Sequence, residues 1–328
     1  MRMSSIIESV YQLNSIHEIS REQIEQLSRL AGSDVPDLIS LANKIRIQYA
    51  PDLHVCTIMN TKSGLCSENC RYCAQSVHHS SEIETYPLVS VDNILKAAEQ
   101  TVNNGVNHFG IVTSGLGYKK IDAEFTQILR AIDKIHEEFP ELGVCASMGI
   151  LSEETAQALA ERNIVHYNHN IQVSPDQYST LIADTHSVED RINTIRYLKN
   201  AGIKVCSGGI IGLGETMEDR INLAYTLREL DVDVIPLNVL IPIEGTPLEN
   251  QPPVPVMEIA KTFALFRLIN PTKTIKFAAG RETRMKDFQG LLMLAGVNGF
   301  LTGGYLTTRG REVEQDKIFQ KELEGFNV

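Results

Sequence analysis

No tryptophan occurs among the 328 residues, and aromatic residues of any kind make up only 6% of the chain. That scarcity excludes no function by itself; other absences exclude more. No apolar run approaches the roughly 20 residues of a membrane-spanning helix, so no membrane segment is expected. Charged residues are 22% of the chain, the two signs are interspersed, and the formal net charge is −11. Phosphate backbones are gripped by clustered basic faces, so nucleic acid is not expected as a main partner. The first residues mix acidic with apolar side chains and contain no apolar signal core, which leads to the expectation of a cytoplasmic protein. With 43% hydrophobic residues, a chain of this length buries a large core.

Cysteine is also scarce, at six residues, but three of them fall within eight positions: Cys66-Ser-Glu-Asn-Cys70-Arg-Tyr-Cys73. The spacing is C-x3-C-x2-C, and no fourth cysteine lies close by. Closely spaced thiols in a reducing compartment bind metal or do redox work more often than they form disulfides. Three thiolates around an iron–sulfur cubane leave one iron open to a small molecule, whereas structural zinc and electron-transfer clusters are fully enclosed. Zinc remains an alternative, although no paired C-x2-C or histidine stands at zinc-finger spacing. A simple redox C-x2-C pair would leave the third thiol idle.

Apolar residues at helical spacing within residues 1–50 predict an N-terminal helical extension. Thereafter eight short β-branched runs alternate with helix-like segments. The runs are Leu53–Ile58, Val106–Thr113, Gly143–Met148, Ile164–Ile171, Ile203–Ile210, Val232–Leu240, Thr274–Ala279 and Gly299–Thr302. Eight such units predict a closed (β/α)8 barrel of the TIM type over residues 51–310, with a doubly wound open sheet as the alternative. The stretch around Pro242–Pro255 reads as a long loop on the active-site face. A polar tail is assigned to 311–328, and mobility is expected from Arg309 onward.

On this numbering Cys66, Cys70 and Cys73 fall in the first βα loop, at the C-terminal mouth where barrels of this kind carry their sites. The other three cysteines are Cys56 in strand one, Cys145 in strand three and Cys206 in strand five. Barrel interiors are filled in layers contributed by alternate strands, so these three converge in one layer, and strand seven must supply the fourth member. At its end stands Gly280-Arg281. One reading makes the three ordinary small core residues. The sharper one is a second metal cluster inside the barrel, with Arg281 as an unusual fourth ligand or a charge-balancing neighbour. Tyr167-Asn168-His169-Asn170 and Asn238 put polar groups on even strands, where a bound ligand or loop hydrogen bonds would satisfy them. The glycine-rich run Gly208–Gly214 permits close backbone approach to a nucleoside, a weak signal taken alone.

The triad, with an aromatic residue just before its last cysteine, resembles the radical S-adenosylmethionine (SAM) superfamily. Tyr72-Cys73-Ala74-Gln75-Ser76, Tyr167-Asn168-His169-Asn170, Lys204-Val205-Cys206-Ser207-Gly208-Gly209 and Ala279-Gly280-Arg281-Glu282, in this order, narrow the resemblance to the biotin synthase family, over roughly residues 20 to 310. The resemblance implies a homodimeric barrel and a [4Fe–4S] cluster on Cys66, Cys70 and Cys73 whose open iron chelates SAM. It also implies a flavodoxin or ferredoxin as electron donor. The reaction implied is radical sulfur insertion into dethiobiotin, with a sulfide of an auxiliary [2Fe–2S] cluster as sulfur donor. Tyr72, Asn170, Arg191, Ile210 and Asn238 are implied as SAM and substrate contacts: Asn170 and Arg191 at the ribose and carboxylate, Ile210 at the adenine, and Asn170 with Asn238 at the ureido ring.

The chain departs from the family pattern in two places. Gly110 stands on strand two where better-known members carry an auxiliary-cluster cysteine, and Cys56 stands where they have serine. The expectation is therefore a rearranged set, Cys56, Cys145, Cys206 and Arg281, with room at Gly110 for a larger four-iron cluster. Gln172 replaces an acidic residue beside the ribose, and at most weaker SAM binding is expected.

Overall fold

A computed structural model describes residues 4–13, 15–304 and 311–326. Eight parallel strands close on themselves. They are β1 (His54–Lys62), β2 (His108–Thr113), β3 (Gly143–Ser147), β4 (His166–Asn168), β5 (Lys204–Cys206, resuming as Gly209–Ile211), β6 (Val234–Val239), β7 (Thr274–Phe277) and β8 (Gly299–Leu301). Each pairs with its neighbours in chain order, and β8 closes the ring on β1 through His54, Val55 and Cys56. Every predicted strand is present, trimmed or extended by a few residues at its ends.

A helix follows each strand on the outside, from Val91–Asn103 after β1 to Val313–Glu324 after β8. Five of them begin at a Ser, Thr or Asp whose side chain accepts the third backbone N–H of the helix: Ser90, Asp122, Ser152, Ser187 and Thr216. Such caps satisfy otherwise orphaned donors and fix where each helix starts. Outward strand residues such as Phe109, Ile111, Val144 and Val205 are fully buried against these helices. The N-terminal helices Arg21–Ser28 and Asp34–Tyr49 pack on the helix Val256–Ile269 outside the barrel.

β5 breaks at Ser207-Gly208 because three backbones crowd together there. A Cβ at Gly208 would stand 1.9 Å from Pro236 O, and one at Gly209 would stand 2.6 Å from Gln172 O. Only glycine permits this approach. The loop after β6 crosses the barrel mouth and is tied to the cysteine loop by the Ser80 N–H, which donates to Gly245 O at 3.1 Å.

The C-terminal segment departs from expectation. Val313–Glu324 is a helix, not a mobile tail, and its Asp316 is almost completely buried. Arg309 and Gly310 lie outside the described residues.

Candidate active site

The barrel is hollow from end to end, with two chambers stacked along its axis. The upper one, of about 280 Å³, opens at the C-terminal ends of the strands and is lined by Cys66, Cys70 and Cys73 from the loop after β1. That loop is shaped by its own backbone: Cys66 N–H donates to Gln75 O, Val77 N–H to Cys66 O, and Cys73 N–H to Cys70 O. The sulfurs are close enough for Cys66 and Cys73 to disfavour ionisation of Cys70, and for Cys66 to disfavour that of Cys73. Burial is the largest cause and, with the neighbouring sulfurs, outweighs the opposing Arg191 charge, pushing the Cys70 thiol up to about 12 and Cys73 to about 11. Thiols so placed stay neutral near pH 7 unless a cation holds them as thiolates, which is what an iron cluster does.

Arg191 faces the same chamber from the first turn of the helix Val188–Asn200. Its Nε donates to Tyr178 Oη, its Nη1 to Asn170 O at 3.0 Å, and its Nη2 points at His186 Nε2 at 3.2 Å. All are neutral acceptors. His186 also hydrogen-bonds Glu68 at 2.8 Å. Burial, then Arg191, lower the His186 pKa, so near neutrality it is an imidazole donating Nδ1–H to the Glu68 carboxylate rather than half of an ion pair. The guanidinium charge is therefore left to be balanced from the chamber, as a ligand carboxylate would do.

Tyr72 and Ile210 also line this chamber, and Tyr72 Oη accepts from Gln172 Nε2 at 2.8 Å. Gln172 sits at φ +78°, a left-handed conformation unusual for a side chain with a Cβ. Asn170 Oδ1 takes the Gly208 N–H at 3.0 Å, and Asn238 bridges Gly209 O and Ala279 N. Buried atoms with no protein partner belong to three residues lining the same space: Asn168 Oδ1, His169 Nε2 and Gln172 Oε1. Such groups cost free energy unless something else bonds them, so their concentration here fits a polar ligand.

The lower chamber, of about 510 Å³, shares Val112, Ser147, Asn168, Asn170 and Asn238 with the upper one. Its walls are the inward-facing positions of the strands. Cys56, Cys145 and Cys206 all face it, so the three odd strands do bring their thiols to one space. Burial is the largest cause that pushes Cys145 and Cys206 up to about 12; Cys56 adds to it at Cys145, and Cys56 and Cys145 add to it at Cys206, against the opposing charge of Lys276.

The fourth member of that layer is not Arg281. Inward positions on β7 alternate as Thr274, Lys276 and Ala278. Lys276 Nζ stands 3.2 Å from Cys56 Sγ. Burial acts to lower its pKa, but the three neighbouring sulfurs outweigh burial and hold it protonated. Gly280, at φ +87°, turns the chain out of the barrel, and Arg281 lies outside it. There its guanidinium pairs with Asp316 at 2.6 and 2.8 Å and stacks over the Phe300 ring. The expected room at Gly110 is also reduced, because the neighbouring Ile58 side chain leans over it, 2.9 Å from where a Cβ would be.

Sequence reasoning missed Lys276, although a lysine inside the apolar run Thr274–Ala279 marks an inward polar position once the parity is counted. Asn168 was visible only as one of several polar residues on β4; its unpartnered, buried Oδ1 sets it apart.

Comparison with known proteins bears on both chambers. The Radical SAM superfamily matches residues 61–226, and the Biotin and Thiamin Synthesis associated domain matches residues 236–324. A biotin synthase of Chlorobium phaeobacteroides (strain BS1) is 55% identical over 326 residues, covering 98% of this chain and 96% of its own. One from Chlorobium luteolum is 59% identical over 310 residues, covering 94% and 93%. The chain belongs to the biotin synthase family.

Within the family, the first match contains the rim cysteines, Asn170, Arg191 and Ile210, while the second contains Asn238, Lys276 and the Arg281–Asp316 pair. Among solved structures, methylornithine synthase (PylB) superposes with a TM-score of 0.80 at 18% identity, covering 98% of this chain and 96% of that one. The FeFe-hydrogenase maturase HydG from Carboxydothermus hydrogenoformans gives 0.80 at 17%, covering 97% and 78%. At that identity they share the fold with the biotin synthase family and nothing more is carried over.

Proposed function

We propose that this enzyme converts dethiobiotin to biotin by radical sulfur insertion. The observation that carries the reading is the stacking of two trios of thiols in one continuous hollow, Cys66, Cys70 and Cys73 at the rim and Cys56, Cys145 and Cys206 beneath. Cys66, Cys70 and Cys73 would hold a [4Fe–4S] cluster that, with SAM, would supply the electron and radical chemistry needed to remove hydrogen from unactivated carbon. Cys56, Cys145 and Cys206 would hold an auxiliary iron–sulfur cluster, which would supply the sulfur atom.

The protein's share of the work is placement and protection. Arg191, fixed by Tyr178, His186 and Asn170 O, offers its charge to the SAM carboxylate. Ile210 packs near the adenine, with Tyr72 and Gln172 on the same wall. Asn168, Asn170 and Asn238 line the junction of the chambers, where the ureido ring of dethiobiotin is held between radical source and sulfur source. The apolar wall of Val112, Val239, Leu240 and Ile241, with the loop tied at Gly245 and Ser80, keeps water from a carbon radical that would react with it.

A lysine held protonated by the sulfurs balances charge rather than ligating iron. With three thiols and no fourth cysteine lining the chamber among the described residues, the lower set would suit a four-iron group better than the [2Fe–2S] cluster that the resemblance implies. A flavodoxin or ferredoxin as reductant and a homodimeric assembly complete the reading.

Anaerobic reconstitution followed by reduction with SAM and dethiobiotin tests it. The expected products are 5′-deoxyadenosine and biotin. Deoxyadenosine without biotin would assign the chain another radical reaction, and neither product would remove the enzyme reading.

A further inference from the structure

The floor of the barrel is built unlike a packed one. TIM-type interiors are filled layer upon layer by branched aliphatic side chains. Here β1, β2, β4 and β5 begin with His54, His108, His166 and Lys204, and all four line the lower chamber. None of the four is fully buried, and Lys204 is exposed, so the chamber opens at the N-terminal end of the barrel as well. The His108 and His166 rings lie 6.2 Å apart, and His166 Nδ1 is 4.0 Å from Cys145 Sγ. Above them Lys276 meets Cys56. A line of N–H donors therefore runs from solvent at Lys204 to the sulfurs.

The cations along that line are Lys204 and Lys276. Lys204 forms no ion pair among the described residues, and neither does Lys276. Lys273 at the mouth is paired with Asp231. Asp233, the one carboxylate lining the chamber, accepts the Val205 N–H at 2.8 Å. Asp52 lies near His54. An imidazole offers an N–H in either protonation state, so the lining donates whatever the pH.

We infer that the barrel floor is a port that binds small sulfur anions, hydrosulfide in particular, and admits them to the three thiols from below. The inference rests on the proposed function, because that reaction removes a sulfur atom from the lower site at each turnover. The upper route is filled by SAM and dethiobiotin during the reaction, whereas the floor reaches Cys56, Cys145 and Cys206 before the junction with the upper chamber. Admission needs no oxidant: hydrosulfide gives its proton to water and stays on the iron as sulfide, with no electron transferred.

The test uses full-length protein with the cluster loaded at the rim site only, to which ferric iron, a dithiol and limiting sodium sulfide are added anaerobically. Filling of the lower site is followed by Mössbauer spectra and visible absorbance, not by activity. Lys204→Glu is expected to slow filling by about tenfold at low ionic strength, the scale of electrostatic steering, with recovery at high sulfide. Lys204→Arg should fill as wild type does. Saturating SAM and dethiobiotin, without reductant, should leave the wild-type rate unchanged. Equal rates for wild type and Lys204→Glu at every sulfide concentration, or filling blocked by SAM and dethiobiotin, would overturn the port. A single turnover of fully loaded wild type reports separately on the proposed function: failure to form biotin there would sink that reading whatever the filling rates.

Discussion

Lys276 Nζ stands 3.2 Å from Cys56 Sγ, joining strands β7 and β1 across the interior of the barrel. This contact gives the three inward thiols a cationic fourth neighbour in their own layer. It also assigns the charge-balancing role to a residue other than the arginine at the strand's end.

The first prediction concerns that lysine. Lys276→Met removes the ammonium but keeps much of the stem's volume. The lower site should retain less iron and sulfide after reconstitution, while the rim cluster and reductive SAM cleavage persist. Lys276→Arg should recover part of the loss. Iron and sulfide quantitation with Mössbauer spectra checks both, and undiminished occupancy in Lys276→Met would remove the role.

Arg281 should behave as a structural residue. Its pair with Asp316 is buried on both sides, at 7% and 1% side-chain exposure. Truncating one partner of a buried pair typically costs about 3–5 kcal/mol, and here Arg311 Nε, 3.7 Å from Asp316, offsets part of that loss. Arg281→Ala should therefore lower the denaturation midpoint strongly, with iron per folded molecule unchanged. Selective loss of lower-site iron would instead return Arg281 to the cluster.

The helix bearing Arg191 starts at a reciprocal cap, in which Ser187 and Asp190 each bond the other's backbone N–H. The Ser187 hydroxyl, and then its N–H, hold the Asp190 carboxyl below its usual pKa. A depressed folded pKa gives stability that is complete above the ordinary carboxylate range and lost as pH falls through the lowered value. Asp190→Asn should cost about 0.5–1 kcal/mol near neutral pH. The difference from wild type should close in acid, as thermal denaturation across pH would show.

Asn168 is predicted to hold substrate. With its buried Oδ1 unpartnered at the junction of the chambers, Asn168→Ala should raise the KM for dethiobiotin. SAM cleavage without substrate should be unaffected. An unchanged KM would return Asn168 to a structural role.

Much of this was legible in the sequence because barrel strands announce themselves as short β-branched runs between turn residues. Strand parity alone brought Cys56, Cys145 and Cys206 together. What parity required on strand seven was an inward position, and Lys276 meets that requirement. Arg281 lies beyond a left-handed glycine, whose turn a linear reading does not show. The C-terminal helix was missed because it buries little apolar surface, chiefly Leu323, and is anchored by the charge of Asp316 instead. The floor histidines were equally hidden, since each is a single polar residue at the start of an apolar strand.

The most direct test of the account is Cys56→Ala, reconstituted anaerobically and compared with wild type by Mössbauer spectroscopy and product analysis. The prediction is loss of the lower cluster's signal, an intact rim cluster, continued formation of 5′-deoxyadenosine, and no biotin. A lower cluster unchanged in the variant, or biotin still formed in stoichiometric yield, would contradict it.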